Sequence, residues 1–256
     1  MLHAPLALAF ERAVECRIYQ ELPFPRPILD LGCGEGLFAH ILFAEKIDAG
    51  VDPAARELER AQELRAYEEL ILCPGDAIPK PDGFYQTVLS NSVLEHIADL
   101  EPVLREVHRI VAPGGRFYFT VPSPLFCRYT IINQLLMAMR LNHLAVKFRR
   151  RYNIFWKHYH DYPLAEWKEL VQKAGFEITA SWSYGSKKRS LLNDLLVPFG
   201  FFAFLCKRLT NRWIIMPGLR QFYMRPLYRI VRKYFPASDQ VDEGGLIFIA
   251  ARKELP

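Results

Sequence analysis

The stretch Ile28-Leu29-Asp30-Leu31-Gly32-Cys33-Gly34-Glu35-Gly36 restricts the folds open to this chain more than any other. An apolar run that ends at once in alternating glycines reads as a buried parallel strand turning tightly into a helix. Glycine lets the backbone approach a ligand closely, and the helix that follows presents free N–H groups at its first turn. Such a turn belongs at the carboxyl edge of a parallel sheet, where nucleotide-type cofactors bind. Leu37 to Lys46 reads as that helix, and a second apolar run ends in Gly50-Val51-Asp52-Pro53. Asp52 stands twenty residues beyond Gly32, where a strand-end carboxylate can accept hydrogen bonds from both hydroxyls of a ribose. The plainer alternative is that Asp52 caps a helix beginning near Ala54.

Two further apolar runs repeat the pattern. Leu70 to Cys73 leads into Gly75-Asp76-Ala77, and Phe84 to Leu89 leads into Ser90-Asn91-Ser92. Arg116 to Val121, Phe176 to Tyr184 and Gly245 to Arg252 read as later strands. The expected fold is α/β: a seven-stranded, mostly parallel, doubly wound sheet with a final antiparallel strand at Leu246 to Ala251 and a helical cap from two insertions. The expected divisions are an N-terminal helix or lid (1–26), a cofactor-binding core (27–124) and a basic helical insertion (125–162). A core helix with strand six (163–185), a basic apolar insertion (186–240) and a last strand with its tail (241–256) follow.

The motifs Leu29 to Gly36, Val51-Asp52, Gly75-Asp76-Ala77, Val93-Leu94-Glu95-His96-Ile97 and Ala112-Pro113-Gly114-Gly115-Arg116 resemble, in order and spacing, those of the class I S-adenosylmethionine-dependent methyltransferases. The resemblance runs from about Pro27 to Pro122 and resumes at Phe176 and Gly244. A dinucleotide fingerprint fits less well, because it would want Gly-x-Gly-x-x-Gly and the third glycine here follows after one residue. The resemblance implies that Asp30 and the backbone of Gly32 and Gly34 hold the methionine part of S-adenosyl-L-methionine. It also implies that Asp52 binds the ribose, Asp76 and Ala77 flank the adenine, and Asn91 lies beside the methionine amino group. No metal is expected: similar quinone O-methyltransferases carry Glu-x-x-Glu-His near strand four, and this chain has Ser92 in place of the first Glu. A sulfonium already carries an activated methyl group, so the protein has mainly to orient an acceptor.

The net charge of +5 conceals an asymmetry. Leu125 to His160 carries seven Lys/Arg and no acid, and Ser186 to Phe235 carries eleven Lys/Arg against Asp194 alone. The remainder holds 15 basic and 27 acidic residues, a net −12. Both basic segments are also rich in aromatic and aliphatic residues, the first reading as one helix from about Thr130 to Arg151. In the second, the apolar run Leu191 to Cys206 is broken by Asn193, Asp194, Pro198 and Gly200, short of a membrane span. Pro226 reads as opening a helix; Tyr223, Leu227, Ile230, Val231 and Tyr234 share one face, with Arg225, Arg229, Arg232 and Lys233 largely off it. Apolar bulk with one-sided positive charge suits an anionic membrane surface. The runs are too aliphatic for a nucleic-acid partner. The five cysteines show no Cys-x-x-Cys spacing and the N-terminus no secretory pattern, so a cytoplasmic protein, peripheral on the inner face of the membrane, is expected.

The expected activity is methyl transfer to an amphiphilic acceptor: a lipid, an isoprenoid or quinone, or a lipid-linked glycan. The alternatives are a small-molecule or sugar methyltransferase with a closing cap, and a non-catalytic membrane adaptor. Proton removal from an acceptor calls for a base, and Trp156-Lys157-His158-Tyr159-His160-Asp161-Tyr162 is the densest cluster of candidates. His160 and His158 are the first choices, since imidazole titrates near neutrality, and His96 after strand four is the third.

Overall fold

The computed structural model describes residues 6–197, 206 and 240–255. The run ahead of the glycines is strand β1 (Ile28–Leu31), buried at all four positions. Strands β2 (Ile47–Asp52), β3 (Tyr67–Leu72), β4 (Tyr85–Asn91) and β5 (Val111–Pro122) join it as a parallel set in the order 3-2-1-4-5. Strands β6 (Phe176–Tyr184), β7 (Gln240–Val241) and β8 (Leu246–Lys253) extend the sheet beyond β5 in the order 8-6-7. β8 runs antiparallel to both β5 and β6. This is the expected doubly wound sheet, with the two-residue β7 as an eighth strand along the end of β6.

Side chains of a strand alternate between faces, and both faces of this sheet are covered, as a parallel sheet requires. Leu29, Leu31, Phe117 and Phe119 pack with Val103 and Val107 of α4 (Leu100–Ile110) and Trp167 and Val171 of α8 (Leu164–Lys173). On the opposite face, Ile28, Tyr67, Tyr118 and Phe248 pack with Val14 and Tyr19 of α1 (Leu6–Gln20), Phe38 of α2 (Leu37–Leu42) and Leu58 of α3 (Ala55–Leu64). α1 thus reaches the sheet that the glycine turn edges.

The first insertion departs from the single helix expected from 130 to 151. It forms α5 (Leu125–Arg128), α6 (Ile131–Ala138) and α7 (Asn142–Trp156). The break is at Arg140, which takes φ 58°. The Leu141 and Arg140 N–H groups close back on the Leu136 and Met137 carbonyls at 2.9 and 3.0 Å. That pairing is a Schellman end, which satisfies the last carbonyls of α6 and reverses the chain. α7 ends in the same way at Lys157, with His158 N–H on the Asn153 carbonyl at 2.8 Å.

Of the second insertion, α9 (Lys187–Leu196) leaves β6, and β7 returns to it. Gly245 N–H bonds the Gly185 carbonyl at 2.9 Å, so the two ends of the insertion are clasped together. The basic amphipathic helix expected after Pro226, and most of the apolar run to Cys206, lie outside the described residues. No helix among the described residues is long and apolar enough to cross a membrane.

Candidate functional site

Beyond the carboxyl ends of β1 and β2 lies a cleft of about 560 Å³, lined by Leu31, Gly32, Val51, Asp52, Gly75, Asp76, Ser92, Val93, His96 and Ile97 among others. That volume falls in the range of roughly 300–1,000 Å³ common to small-ligand sites. Gly32, at φ +74°, has no room for a side chain: a Cβ would stand 2.3 Å from Val93 Cγ1. Gly34 is the opposite case. At φ +52°, a Cβ there would meet no atom within 4 Å, so its backbone is bare.

Asp52 ties two backbone segments together, one of them at the start of the next helix as the plainer alternative has it. Its Oδ2 accepts the Gly34 N–H and its Oδ1 the Ala54 N–H, each at 2.9 Å. The carboxylate therefore closes the glycine turn and opens the turn into α3. Two carboxylate oxygens offer about four acceptor sites, which leaves capacity for hydroxyls from the cleft. Asp76 lines the cleft as expected, whereas neighbouring Ala77 is exposed off it with its N–H on the Pro74 carbonyl at 3.4 Å.

Asp30 and Asn91 stand behind the wall of the cleft rather than on it. Asp30 is buried and accepts the Tyr67 hydroxyl at 2.7 Å. Burial outweighs that hydrogen bond and, with Asp52 nearby, pushes the Asp30 carboxyl up to about 7. Asn91 donates to Glu15 Oε2 at 2.9 Å and accepts from the Thr120 hydroxyl at 2.8 Å. Buried polar groups must find partners, and both residues find them inside the protein.

The histidine-rich strap after α7 is pinned beside the cleft to three successive residues, 95 to 97. Tyr159 N–H bonds the Glu95 carbonyl at 2.8 Å, His96 Nδ1 meets the Lys157 carbonyl at 3.2 Å, and His160 Nε2 meets the Ile97 carbonyl at 2.8 Å. A carbonyl can only accept, so those ring nitrogens carry the protons. His160 Nδ1 is taken by the Tyr162 hydroxyl at 2.9 Å, which leaves this imidazole with no unused nitrogen. The leading candidate for the base is therefore a pin that holds the strap.

His96 and His158 are differently placed. His96 lines the cleft, and its ring lies 5.2 Å from that of His158. Burial, and secondarily His96, push His158 down to about 4, so it is neutral at neutral pH. Glu95, overlooked in the sequence as a site residue, completes the group. Donor atoms of Glu95, His96 and His158 all lie within 4.8 Å of one another, close enough to hold a divalent cation. Glu95 Oε2 is buried without a hydrogen-bond partner, and burial pushes the carboxyl up to about 8. Arg12 and Glu15 of α1, which meet the cleft wall at Ser92, were overlooked as well. The available signal was a charge on an apolar stripe: Leu8, Glu15 and Tyr19 share one face of α1.

A family model described as a methyltransferase domain matches residues 9–181, more than half of the chain. This chain belongs to the class I S-adenosylmethionine-dependent methyltransferases. The chain is 27% identical over 124 residues to malonyl-[acyl-carrier protein] O-methyltransferase of Legionella pneumophila, covering 44% of each chain. It is 30% identical over 106 residues to ubiquinone biosynthesis O-methyltransferase of Sodalis glossinidius, covering 38% of this chain and 41% of that one. The chain thus spans less than half the length of the curated relatives it matches. In fold it resembles an S-adenosylmethionine-dependent methyltransferase of Thermotoga maritima, with a TM-score of 0.63 at 20% identity over 97% of this chain and 92% of that one. It also resembles Haemonchus contortus phosphoethanolamine N-methyltransferase 2 in complex with S-adenosyl-L-methionine, with a TM-score of 0.56 at 20% identity over 98% and 54%. The cleft fits the cofactor of this family: the glycine turn at Gly32 and two carboxylates, Asp52 and Asp76, border a space of suitable size.

Proposed function

We propose that this methyltransferase acts on an amphiphilic acceptor, a lipid, isoprenoid or quinone, or lipid-linked glycan, that it meets at a membrane surface. One observation carries the reading. A second, largely apolar cavity of about 80 Å³ is walled by side chains including Phe10, Phe126, Tyr129, Tyr152 and Leu196, with Glu11, Arg189 and Asp194 among its polar lining. Two of its walls, Phe126 and Tyr152, flank the His158 ring at 5.9 and 6.5 Å. An apolar cavity, His158, His96 and the cofactor cleft are thus contiguous. In this reading residues 27–124 form the cofactor half, and 125–162 with 186–240 the acceptor half.

The bound cofactor supplies an activated methyl group on a sulfonium. Asp52 holds its ribose, Asp76 borders its adenine, and the Gly34 backbone admits it. On the acceptor side, Phe126 and Tyr152 bind the apolar body. His158, kept neutral by burial, takes the acceptor's proton, with the Glu95 carboxyl beside it in the same cluster. His160 holds the strap in register without touching the reacting atoms.

Membrane contact is supported by the α6–α7 hairpin. Leu135, Met139, Ile154, Phe155 and Trp156 are exposed, Phe155 by 72%, and the segment has no acid to offset its basic residues. The decisive experiment supplies methyl-labelled S-adenosylmethionine to the protein with membrane lipids or with aqueous metabolites. Label in the lipid fraction is expected. Label confined to the aqueous fraction would replace this reading with a small-molecule enzyme whose cap closes over its acceptor.

A further inference from the structure

The wall of the cleft on the side away from the glycine turn is neither a strand nor a helix. In the sheet, β2 separates β3 from β1, and beyond the end of β3 the cleft is bounded by Cys73, Pro74, Gly75 and Asp76. These residues open the loop 73–84, which runs from β3 to β4 with no helix or strand in it. The loop closes on itself at two points. Lys80 N–H meets the Ile78 carbonyl at 2.7 Å, and Ala77 N–H meets the Pro74 carbonyl at 3.4 Å, the latter a weak bond. A loop so lightly braced needs an outside hold to present Asp76 in one place.

α4 supplies that hold. Glu106 Oε1 accepts the Ile78 N–H at 2.7 Å, and Arg109 Nη2 donates to the Ile78 carbonyl at 3.0 Å. Arg109 Nη1 donates to the Lys80 carbonyl at 2.8 Å and to Asp82 Oδ1 at 2.7 Å. Arg109 Nε and Nη2 each donate to the Glu106 carboxylate at 2.8 Å, and the Arg109 carbonyl accepts the Gly83 N–H at 2.9 Å. A planar guanidinium has five donors and can bridge these oxygens at once, whereas an ammonium is a point charge that cannot. The Arg109 side chain is 33% exposed, and ion pairs so placed add little to stability. What they fix is the backbone of the loop, from two residues beyond Asp76 onward. The first turn of the same helix reaches the cleft itself at Val103, behind its N-cap Asp99.

We propose that Arg109, seated by Glu106, is a positioning residue of the cofactor site: it sets the course of the loop that delivers Asp76 to the cleft. The proposal rests on the reading above, in which Asp76 borders the adenine. Arg109 does not line the cleft and acts through the Ile78 and Lys80 carbonyls. Ile78 is buried, and Lys80 Nζ ties the loop to Glu69 of β3 at 2.6 Å. Removing the guanidinium therefore frees the shape of the loop without detaching it. The loss falls on the base of the cofactor and spares the ribose, because Asp52 is fixed separately, by the glycine turn and the start of α3.

Isothermal titration of the full chain with S-adenosylhomocysteine and with S-ribosylhomocysteine, which carries a hydroxyl in place of the adenine, tests this. Wild type is expected to prefer S-adenosylhomocysteine. In Arg109→Gln that preference should fall roughly tenfold, the worth of one hydrogen bond, while affinity for S-ribosylhomocysteine stays within about twofold. Hydrogen exchange in peptides from 74–83 should quicken roughly tenfold in the same variant, and S-adenosylhomocysteine should restore part of the protection. Arg109→Lys, which keeps the charge without the fork, should lose most of the preference and stands in if Arg109→Gln does not fold. Equal losses for both compounds would make the arginine a general support of the fold and overturn the proposal. So would an Arg109→Gln protein that keeps the wild-type preference, whether or not its loop exchanges faster. A wild type that binds the two compounds equally, or neither, would instead overturn the adenine reading of Asp76, and this proposal with it.

Discussion

The glycine turn borders the cleft and the histidine strap is bonded to another part of its rim, at residues 95–97, yet the two are held in opposite ways. The turn is fixed by backbone conformation and by one carboxylate: Gly32 and Gly34 take positive φ, and Asp52 closes the loop from the next strand. The strap is fixed by bonds to residues 61 and 63 positions away, from His96 to the Lys157 carbonyl and from His160 to the Ile97 carbonyl. Changes in the first half should therefore abolish binding and leave folding nearly intact. Changes in the second should loosen a cap and leave the cofactor bound.

The largest expected effect is that of Gly34→Val. Because a Cβ at Gly34 meets nothing in the protein, the cost to the fold is the strain of a side chain at positive φ, about 1–2 kcal/mol. Titration with S-adenosylhomocysteine should nevertheless detect no binding. A variant that binds normally would show that the cofactor does not approach this backbone. Asp52→Ala comes next. Losing a charge-assisted hydrogen bond costs about 1.5–3 kcal/mol, so affinity should fall by roughly 10- to 150-fold.

On the strap, His158→Ala should lower kcat while S-adenosylhomocysteine affinity holds. His160→Ala should lower the melting temperature by a few degrees through the loss of two hydrogen bonds, worth about 1–3 kcal/mol together. If His160→Ala instead abolished turnover without any change in melting, the pin would have to be promoted to the base. A smaller effect separates the exposed hairpin from both halves. Phe155→Ser with Trp156→Ser should weaken sedimentation with anionic liposomes and leave melting unchanged.

The smallest effect is a slope. Asp30 and Glu95 are held well above the ordinary carboxylate range by burial, to about 7 and about 8, and Glu15 is raised as well. In the unfolded chain these groups release their protons near pH 4, whereas the folded chain retains them to pH 7–8. The folded state thus binds more protons across that window, so stability falls as pH rises through it. Melting curves from pH 4.5 to 8 should show the decline, and Glu95→Gln should flatten its upper part. A melting temperature that climbed over the same range would contradict the burial of these carboxylates.

The same contrast explains what was legible in the sequence. A glycine turn is local: Leu29 to Gly36 encode a buried strand and a tight turn through the shape of the backbone, and Asp52 follows at a distance set by one helix. The strands β6 and β8 were likewise legible as apolar runs, Phe176 to Tyr184 and Gly245 to Arg252. His160 was misread because an imidazole looks the same in sequence whether its nitrogens are free or bonded, and its partners, Tyr162 and the Ile97 carbonyl, are known only after folding. Asp30 and Asn91 lie at strand ends as read, but which way each side chain turns depends on Tyr67 and Glu15 arriving from other elements. Arg12 and Glu15 could have been noticed as charges within a helix that packs on the sheet, although nothing local names Ser92 as the residue they meet. The split of the first insertion at Arg140 escaped notice because no glycine marks the turn: a non-glycine residue takes the left-handed position there.

The clasp between β6 and β7 has a consequence for how such an enzyme could change its acceptor. Ser183 pairs with Val241 and Tyr184 with Gln240, while Gly185 and Gly245 are bonded at the root. The core therefore holds the two ends of the insertion together, whatever sequence runs between them. Doubling a loop that is already closed costs only about 0.6 kcal/mol of chain entropy. The segment is in effect a cassette in a fixed socket: lineages, or protein engineers, can exchange it for another without disturbing a residue of the glycine turn.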